Sequence, residues 1–340
     1  MSYKIKKFKD FQKEDWNKLV HKMDGNQQHF TWSRVKYFET LPNILNLSFA
    51  VFEGKACLAL VVLGESRVEN KMSFSFNKDH CPEPIVNLKL SPHERKKLKN
   101  NLRILIEDMA RERGVKNYKL RTHPVVFKNG LPLISSEDQF YQIKWAKNFY
   151  VHNTIIIDLK NKESEIWDNF SKSHKKNIKK VEKKGLKFTI LSKENSKNEI
   201  SKKIENFKKT HFLTWGKQTR PNANWECMVN SIIDGEAILF TVLLNKKEIS
   251  YLYCGTYKKF CYGWSQANLK EFEKEFMPRH FLEWSVIKYL KKKKYSFYEI
   301  GERYYECNFE APLKFFSISD FKEKFGGSFY PKVFFHSEIK

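Results

Sequence analysis

Two carboxylates and four tyrosines in the last third of the chain hold the groups best suited to moving a proton. Glu299 and Glu302 flank an Ile300-Gly301 turn at the end of an apolar run, and Tyr253, Tyr262, Tyr304 and Tyr305 could donate or relay protons beside it. Each tyrosine suits core or groove packing as well, having an apolar ring and one polar end. The histidines are spread without an H-E-x-x-H pattern, so no metal site is expected, and His80, Cys81 and His280 read as structural or exposed. No G-x-S-x-G elbow marks a covalent nucleophile.

A second group is cationic. On a helix at about 100° per residue, Trp167, Phe170, Ile178 and Val181 share one face, with Lys172, Lys175, Lys176, Lys179 and Lys183 opposite. Glu182 is the main acid among them. Such a face contacts phosphate, or it is a solvated surface over a core stripe; both readings stand. The whole chain carries a formal net charge of +24. That points to a polyanionic partner, or to lysine filling solvated surface in a sequence from an AT-rich genome.

These groups need a frame, and the chain reads as α/β (α+β). Tyr3–Phe8 alternates as a strand; Gln12–Met23 and Thr31–Leu41 read as helices. Leu47–Leu63 gives a hairpin turning at Glu53-Gly54-Lys55, followed by a strand at Lys71–Phe76. A long helix runs from Ser91 to Gly114, then a strand from Tyr118 to Thr122, with a helix placed at 136–144. The second half repeats the order: a strand at Lys187–Leu191, a helix at Lys193–Phe212, a hairpin over Ala237–Tyr253 and a strand at Phe260–Ala267. A long helix at Pro278–Lys293 and a strand ended by Gly301 complete it. Ser319–Gly327 reads as a short helix capped near Ser317–Asp320 and stopped by two glycines. Helix, hairpin, strand, long helix and strand therefore occur twice, the pattern of two copies of one unit, 1–150 and 151–340.

Composition bounds the rest. The 340 residues are 41% apolar, enough for one or two buried cores. No apolar run approaches the roughly 18 residues of a membrane span, and MSYKIKKFKDF lacks a signal-peptide core. Six cysteines without a C-x-x-C pair fit reduced thiols, so a cytoplasmic location is expected, with association at the inner membrane face as a further expectation.

From Pro278, Phe281-Leu282-Glu283, Glu299-Ile300-Gly301, Phe321-Lys322 and Phe325-Gly326-Gly327, together with HNTIIIDL (His152–Leu159) and SHKKNIKKVEKKGLKF (Ser173–Phe188), the chain resembles the FemAB-like family of aminoacyl- and acyltransferases. It departs in having Glu299-x-Gly where many relatives have Asp-x-Gly. The resemblance implies tandem GNAT-like domains, mixed twisted sheets flanked by helices, a degenerate first copy and, in the compact FemX-like form, no coiled-coil arm.

The resemblance also implies a reaction: an aminoacyl or acyl group moved onto an amine of a cell-envelope precursor, a peptidoglycan peptide or amino sugar, carried by a lipid in one version. Such transfer needs a base, an oxyanion stabiliser and alignment, and no metal. Lys322 falls on the Phe-Lys motif, where relatives place a lysine at the substrate end. Glu299, Glu302 and Tyr304 are then catalytic candidates beside it, with Tyr253, Tyr262, Arg279 and Phe321 set against substrate. The segment before the Pro278 helix, EFMPRHF in its core, lacks the glycines that hold a CoA pyrophosphate. Aminoacyl-tRNA is therefore the expected donor, with an acyl-CoA or acyl-carrier donor as the alternative and no resident cofactor. A non-catalytic nucleic-acid-binding protein is the reading from another class.

If the lysine face meets a polyanion, replacing Lys175, Lys176 and Lys179 by Gln should weaken binding and reduce the slope of log K against log salt by up to ~3. Filter binding across a salt series measures it; unchanged affinity and slope would leave a solvated surface.

Overall fold

A computed structural model describes residues 3–25, 27–68, 71–76, 79–134, 144–305 and 312–339. The chain divides into two compact units, Met1–Val151 with Pro331–Lys340, and His152–Tyr330. The helix placed at 136–144 falls almost wholly outside the described residues.

The first unit follows its sequence pattern closely. Helices Lys13–Lys22 and Trp32–Glu39 precede the Phe49–Glu53/Ala56–Val61 hairpin. The long helix spans Pro92–Glu112 because Ser91 caps it: its hydroxyl accepts from the Glu94 amide, while the Glu94 carboxylate accepts from the Ser91 amide. Leu98, Leu102, Ile106 and Ala110 recur at helical spacing and form its buried stripe. A strand at Gly64–Val68, unforeseen in the sequence, pairs with Lys71–Phe74. Its Glu65 is buried and held by Arg67 and Arg113, so a central acid is matched by guanidinium groups.

The second unit is a mixed sheet in the order Lys187–Leu191, Ala237–Leu244, Lys247–Tyr257, Phe260–Asn268, Phe297–Arg303 and Asn148–Asp158. The last of these strands begins just before the unit's boundary. Neighbours are antiparallel except Phe260–Asn268 beside Phe297–Arg303, which pair in parallel from Phe260/Phe297 to Tyr262/Glu299. Helix Pro278–Lys292 crosses over to make that parallel pair possible. It starts on Pro278 at its first turn and is buried nearly all round through Leu282, Trp284, Val286, Ile287 and Leu290. A helix at Asn222–Ile233, also unforeseen, places Trp225, Met228 and Ile232 in the core at i, i+3 and i+7.

Three expectations need correction. The stretch from Trp167 to Lys183 is two helices, Glu163–Asp168 and Lys172–Glu182, because the Ser171 hydroxyl accepts from the His174 amide and starts a new helix. Gly301 does not end its strand. Ile155 pairs with Gly301 and Ile156 with Glu299, so Ile300 is the extra residue of a β-bulge and the strand continues to Arg303. The last helix spans Leu313–Glu323, with Pro312 at its N-cap; Ser319 is interior, so the Ser317–Asp320 cap is replaced by a tie. The Ser319 hydroxyl donates to the Phe315 carbonyl at 2.7 Å and accepts the Tyr304 amide at 3.0 Å.

Gly301 has φ +138°, a region almost closed to side chains, and a Cβ there would strike the Lys322 ammonium. Gly301→Ala is therefore expected to lower stability by about 1–3 kcal/mol, read as a fall in the urea midpoint at constant m-value.

Candidate active site

Glu283 is a buried acid of the second unit. The apolar residues around it on the Pro278 helix leave it 2% exposed, and its carboxylate accepts a hydrogen bond from the Tyr298 hydroxyl at 2.8 Å. Burial pushes this carboxyl up to about 7; the Tyr298 bond and the Lys322 and Arg279 cations pull the other way. Burial likewise lowers the Lys322 ammonium, opposed mainly by Glu283 and Glu302 and then by Glu299, with Arg279 adding to the fall. The missing side chain at Gly301 leaves room for the end of Lys322. Lys322 on one helix and Glu283 on another thus lie within each other's electrostatic reach beside a bulged strand, the charged form of each disfavoured by burial.

The other carboxylates are fixed by hydroxyls. Glu299 is buried and accepts from Thr154 Oγ1 at 2.5 Å. Glu302 accepts from the Tyr304 hydroxyl at 2.6 Å. Arg303, next along the strand, pairs with Asp320 at 2.9 Å and Glu323 at 2.7 Å, clamping the Lys322 helix to the strand. Lys322, Glu299, Glu302 and Tyr304 therefore lie on one strand–helix junction.

Arg279 and Phe321 also come together, the guanidinium 4.2 Å from the ring centroid. Burial lowers the Arg279 pKa, against the pull of Glu273 and Glu283, and its Nε is buried with no hydrogen-bond partner. His174 and His280 pack beside them with ring centroids 4.4 Å apart. His174 Nε2 meets the Phe321 carbonyl at 3.1 Å, and Asn177 Nδ2 meets His280 Nε2 at 3.2 Å. Burial lowers these histidines to about 4 and about 3, so both are neutral at physiological pH.

The remaining assignments divide. Tyr262 stands opposite Glu299 in the parallel register and stacks on Phe260. Tyr253 is fully buried and donates to the Met228 carbonyl at 3.2 Å, so its ring and hydroxyl serve packing against the Asn222–Ile233 helix. Tyr305 accepts from Asn153 Nδ2 at 2.7 Å. On the lysine helix, Lys172, Lys176, Lys179 and Lys183 are exposed, whereas Lys175 donates to the Asp168 carbonyl at 2.9 Å. His280 is half-buried in the cluster, not a bystander. Glu283, Tyr298 and Thr154 were not among the site candidates read from the sequence, although Glu283 closes the Phe281-Leu282-Glu283 motif. The readable signal for Glu283 was one acid amid Phe281, Leu282, Trp284, Val286 and Ile287.

No family model matches the sequence, and no curated protein matches it. Among solved structures, FemX aligns with a TM-score of 0.68 at 12% identity, over 98% of this chain and 97% of that one. L-PGS from Bacillus licheniformis aligns at 0.60 with 12% identity, over 97% and 92%. A tandem GNAT protein from the clavulanic acid biosynthesis pathway aligns at 0.54 with 9% identity, over 100% and 99%. At such identities the likeness is one of fold. In architecture the chain is FemAB-like, with the tandem GNAT-like α/β fold that its sequence motifs implied.

Proposed function

We propose that the chain is an acyltransferase that forms an amide, moving an aminoacyl or acyl group onto an amine of a cell-envelope precursor. The observation carrying this reading is buried Glu283 with half-buried Lys322 in its electrostatic field, on a fold like that of FemX. A carboxylate poised near 7 is matched to taking a proton from an ammonium at physiological pH. As the freed amine attacks the acyl carbonyl, negative charge builds on its oxygen, and the Lys322 ammonium in low dielectric stabilises it. The tetrahedral centre collapses as the C–O bond to the donor breaks, the departing oxygen taking the proton that the newly bonded nitrogen gives up, and Glu283 returns its own proton to solvent. Glu283, Glu302 and Glu299 favour the charged form of Lys322 against its burial. Arg279, with a buried unused Nε, suits an anionic group of either substrate.

Aminoacyl-tRNA is the donor we favour. The start of the Pro278 helix supports this: Met277 and Pro278 occupy its cap and first turn, and Pro278 has no amide hydrogen to offer a pyrophosphate. The exposed lysines 172, 176, 179 and 183, which pair with no described acid, suit the tRNA backbone. Titration with CoA separates the donors: low-micromolar binding, about −8 kcal/mol, at the Pro278 helix would replace this choice.

Lys322→Met is expected to leave the fold intact and lower turnover ~100-fold or more at saturating donor, whereas Lys324→Met keeps most activity. Equal activity of the two variants would remove Lys322 from the reaction. Glu283 gives a pH signature. Its raised pKa means the charged form is disfavoured in the fold, so stability is fullest below the ordinary carboxylate range and is lost as pH rises through about 7. Activity should rise over the same interval as the base ionises. Glu283→Gln should flatten the activity profile near 7 and melt higher than the parent above that pH; a parent profile flat from 6 to 8 would assign the base elsewhere.

A further inference from the structure

The end of the Lys197–Trp215 helix and the start of the Leu313–Glu323 helix form one surface. Lys314 Nζ sits 4.0 Å from the centroid of the Trp215 ring, which brings the two helix ends together. Three large apolar side chains stand out from it: Phe212 is 51% exposed, Leu213 63% and Leu313 85%. Phe212 and Leu213, with Trp225, also line an open cavity of about 360 Å³. The rim carries Lys208, Lys209 and Lys217, with Lys314 at the second helix, against the single acid Glu205. Buried His211 at its inner edge is lowered to about 4 by burial, so it adds no charge at neutral pH.

Apolar tips ringed by lysines are the chemistry of an interfacial surface, where side chains enter the acyl boundary and ammonium groups meet anionic headgroups. We propose that this face docks on an anionic lipid bilayer. The charge argues for the bilayer over a second copy of this basic chain, which would set the lysine rims against each other. The geometry also serves the site. Leu313 and Lys322 lie nine residues apart on one helix, about 13 Å along its axis. Docking by Leu313 would hold Lys322 a short distance above the headgroups, within reach of an amine displayed there. The inference rests on the reading of the acceptor as a cell-envelope precursor and specifies it as membrane-borne.

The test is co-sedimentation of the full chain with vesicles of equimolar phosphatidylglycerol and phosphatidylcholine, and with phosphatidylcholine alone. Binding is expected to the anionic vesicles only. Phe212→Ser, Leu213→Ser and Leu313→Ser combined should lower the partition coefficient ~100-fold or more with an unchanged melting temperature. Lys209→Gln with Lys217→Gln should lower it about tenfold and flatten its salt dependence. No binding to anionic vesicles, binding kept by the triple variant, or a concentration-dependent dimer that the triple variant abolishes would each overturn the proposal. Transfer to a water-soluble amine is measured alongside. Transfer without vesicle binding sinks this inference and leaves the enzymatic reading standing; vesicle binding without transfer to any amine does the reverse.

Discussion

Removing the Glu283 carboxyl from water, with half-buried Lys322 in its field, is the constraint on which the second unit turns. A buried carboxyl without a counter-charge shifts its pKa and neutralises, so the ionised form of Glu283 needs the field of Lys322 and Arg279 and a framework that keeps them in place. The framework is specific. The Pro278 helix supplies an apolar shell around Glu283, and Tyr298 supplies its hydrogen bond. The bulge at Ile300 brings a glycine to where Lys322 ends. Arg303 then ties strand to helix through two carboxylates. Such ion pairs contribute little one by one, but two from a single guanidinium fix direction as well as distance.

The same arrangement joins chemistry to recognition. Phe321 and Lys322 are adjacent on one turn, so the aromatic face under Arg279 and the ammonium at Gly301 share one anchor. His174 links that turn to the lysine helix through the Phe321 carbonyl. A polyanion held by Lys176 or Lys179 would thus bear on a helix that packs directly against the site.

Much of this was legible in the sequence, and the reasons differ by element. Period-two and period-3.6 patterns located both hairpins and both long helices, and Ser91 with Glu94 marked a start outright. The Asn222–Ile233 helix carried a comparable stripe and was passed over beside its more polar neighbours. The bulge left no trace, because an extra residue in a strand changes register without changing composition. For the site, Lys322 followed from a motif, and Glu299 and Glu302 from their place at a strand end. Glu283 needed the knowledge that its helix is buried on all sides, which only tertiary packing decides. Tyr253 went the other way: an alternating strand shows which residues share a face, not which face holds the core.

The neutral histidine pair has a consequence of its own. With 4.4 Å between rings, His174 and His280 share a buried site in which desolvation, and at His280 the neighbouring His174 as well, disfavours a proton on either ring. Their folded pKa values of about 4 and about 3 lie below the ordinary imidazole value, so the unfolded chain takes up protons that the folded chain refuses. Acidification through the imidazole range therefore draws down stability at this seam between the lysine helix and the Pro278 helix, as it does at His211, before most carboxylates have titrated. An acid-opened seam there would part the cationic helix from the Pro278 helix, so that under the proposed function mild acidity would separate polyanion binding from the Glu283–Lys322 region in one molecule.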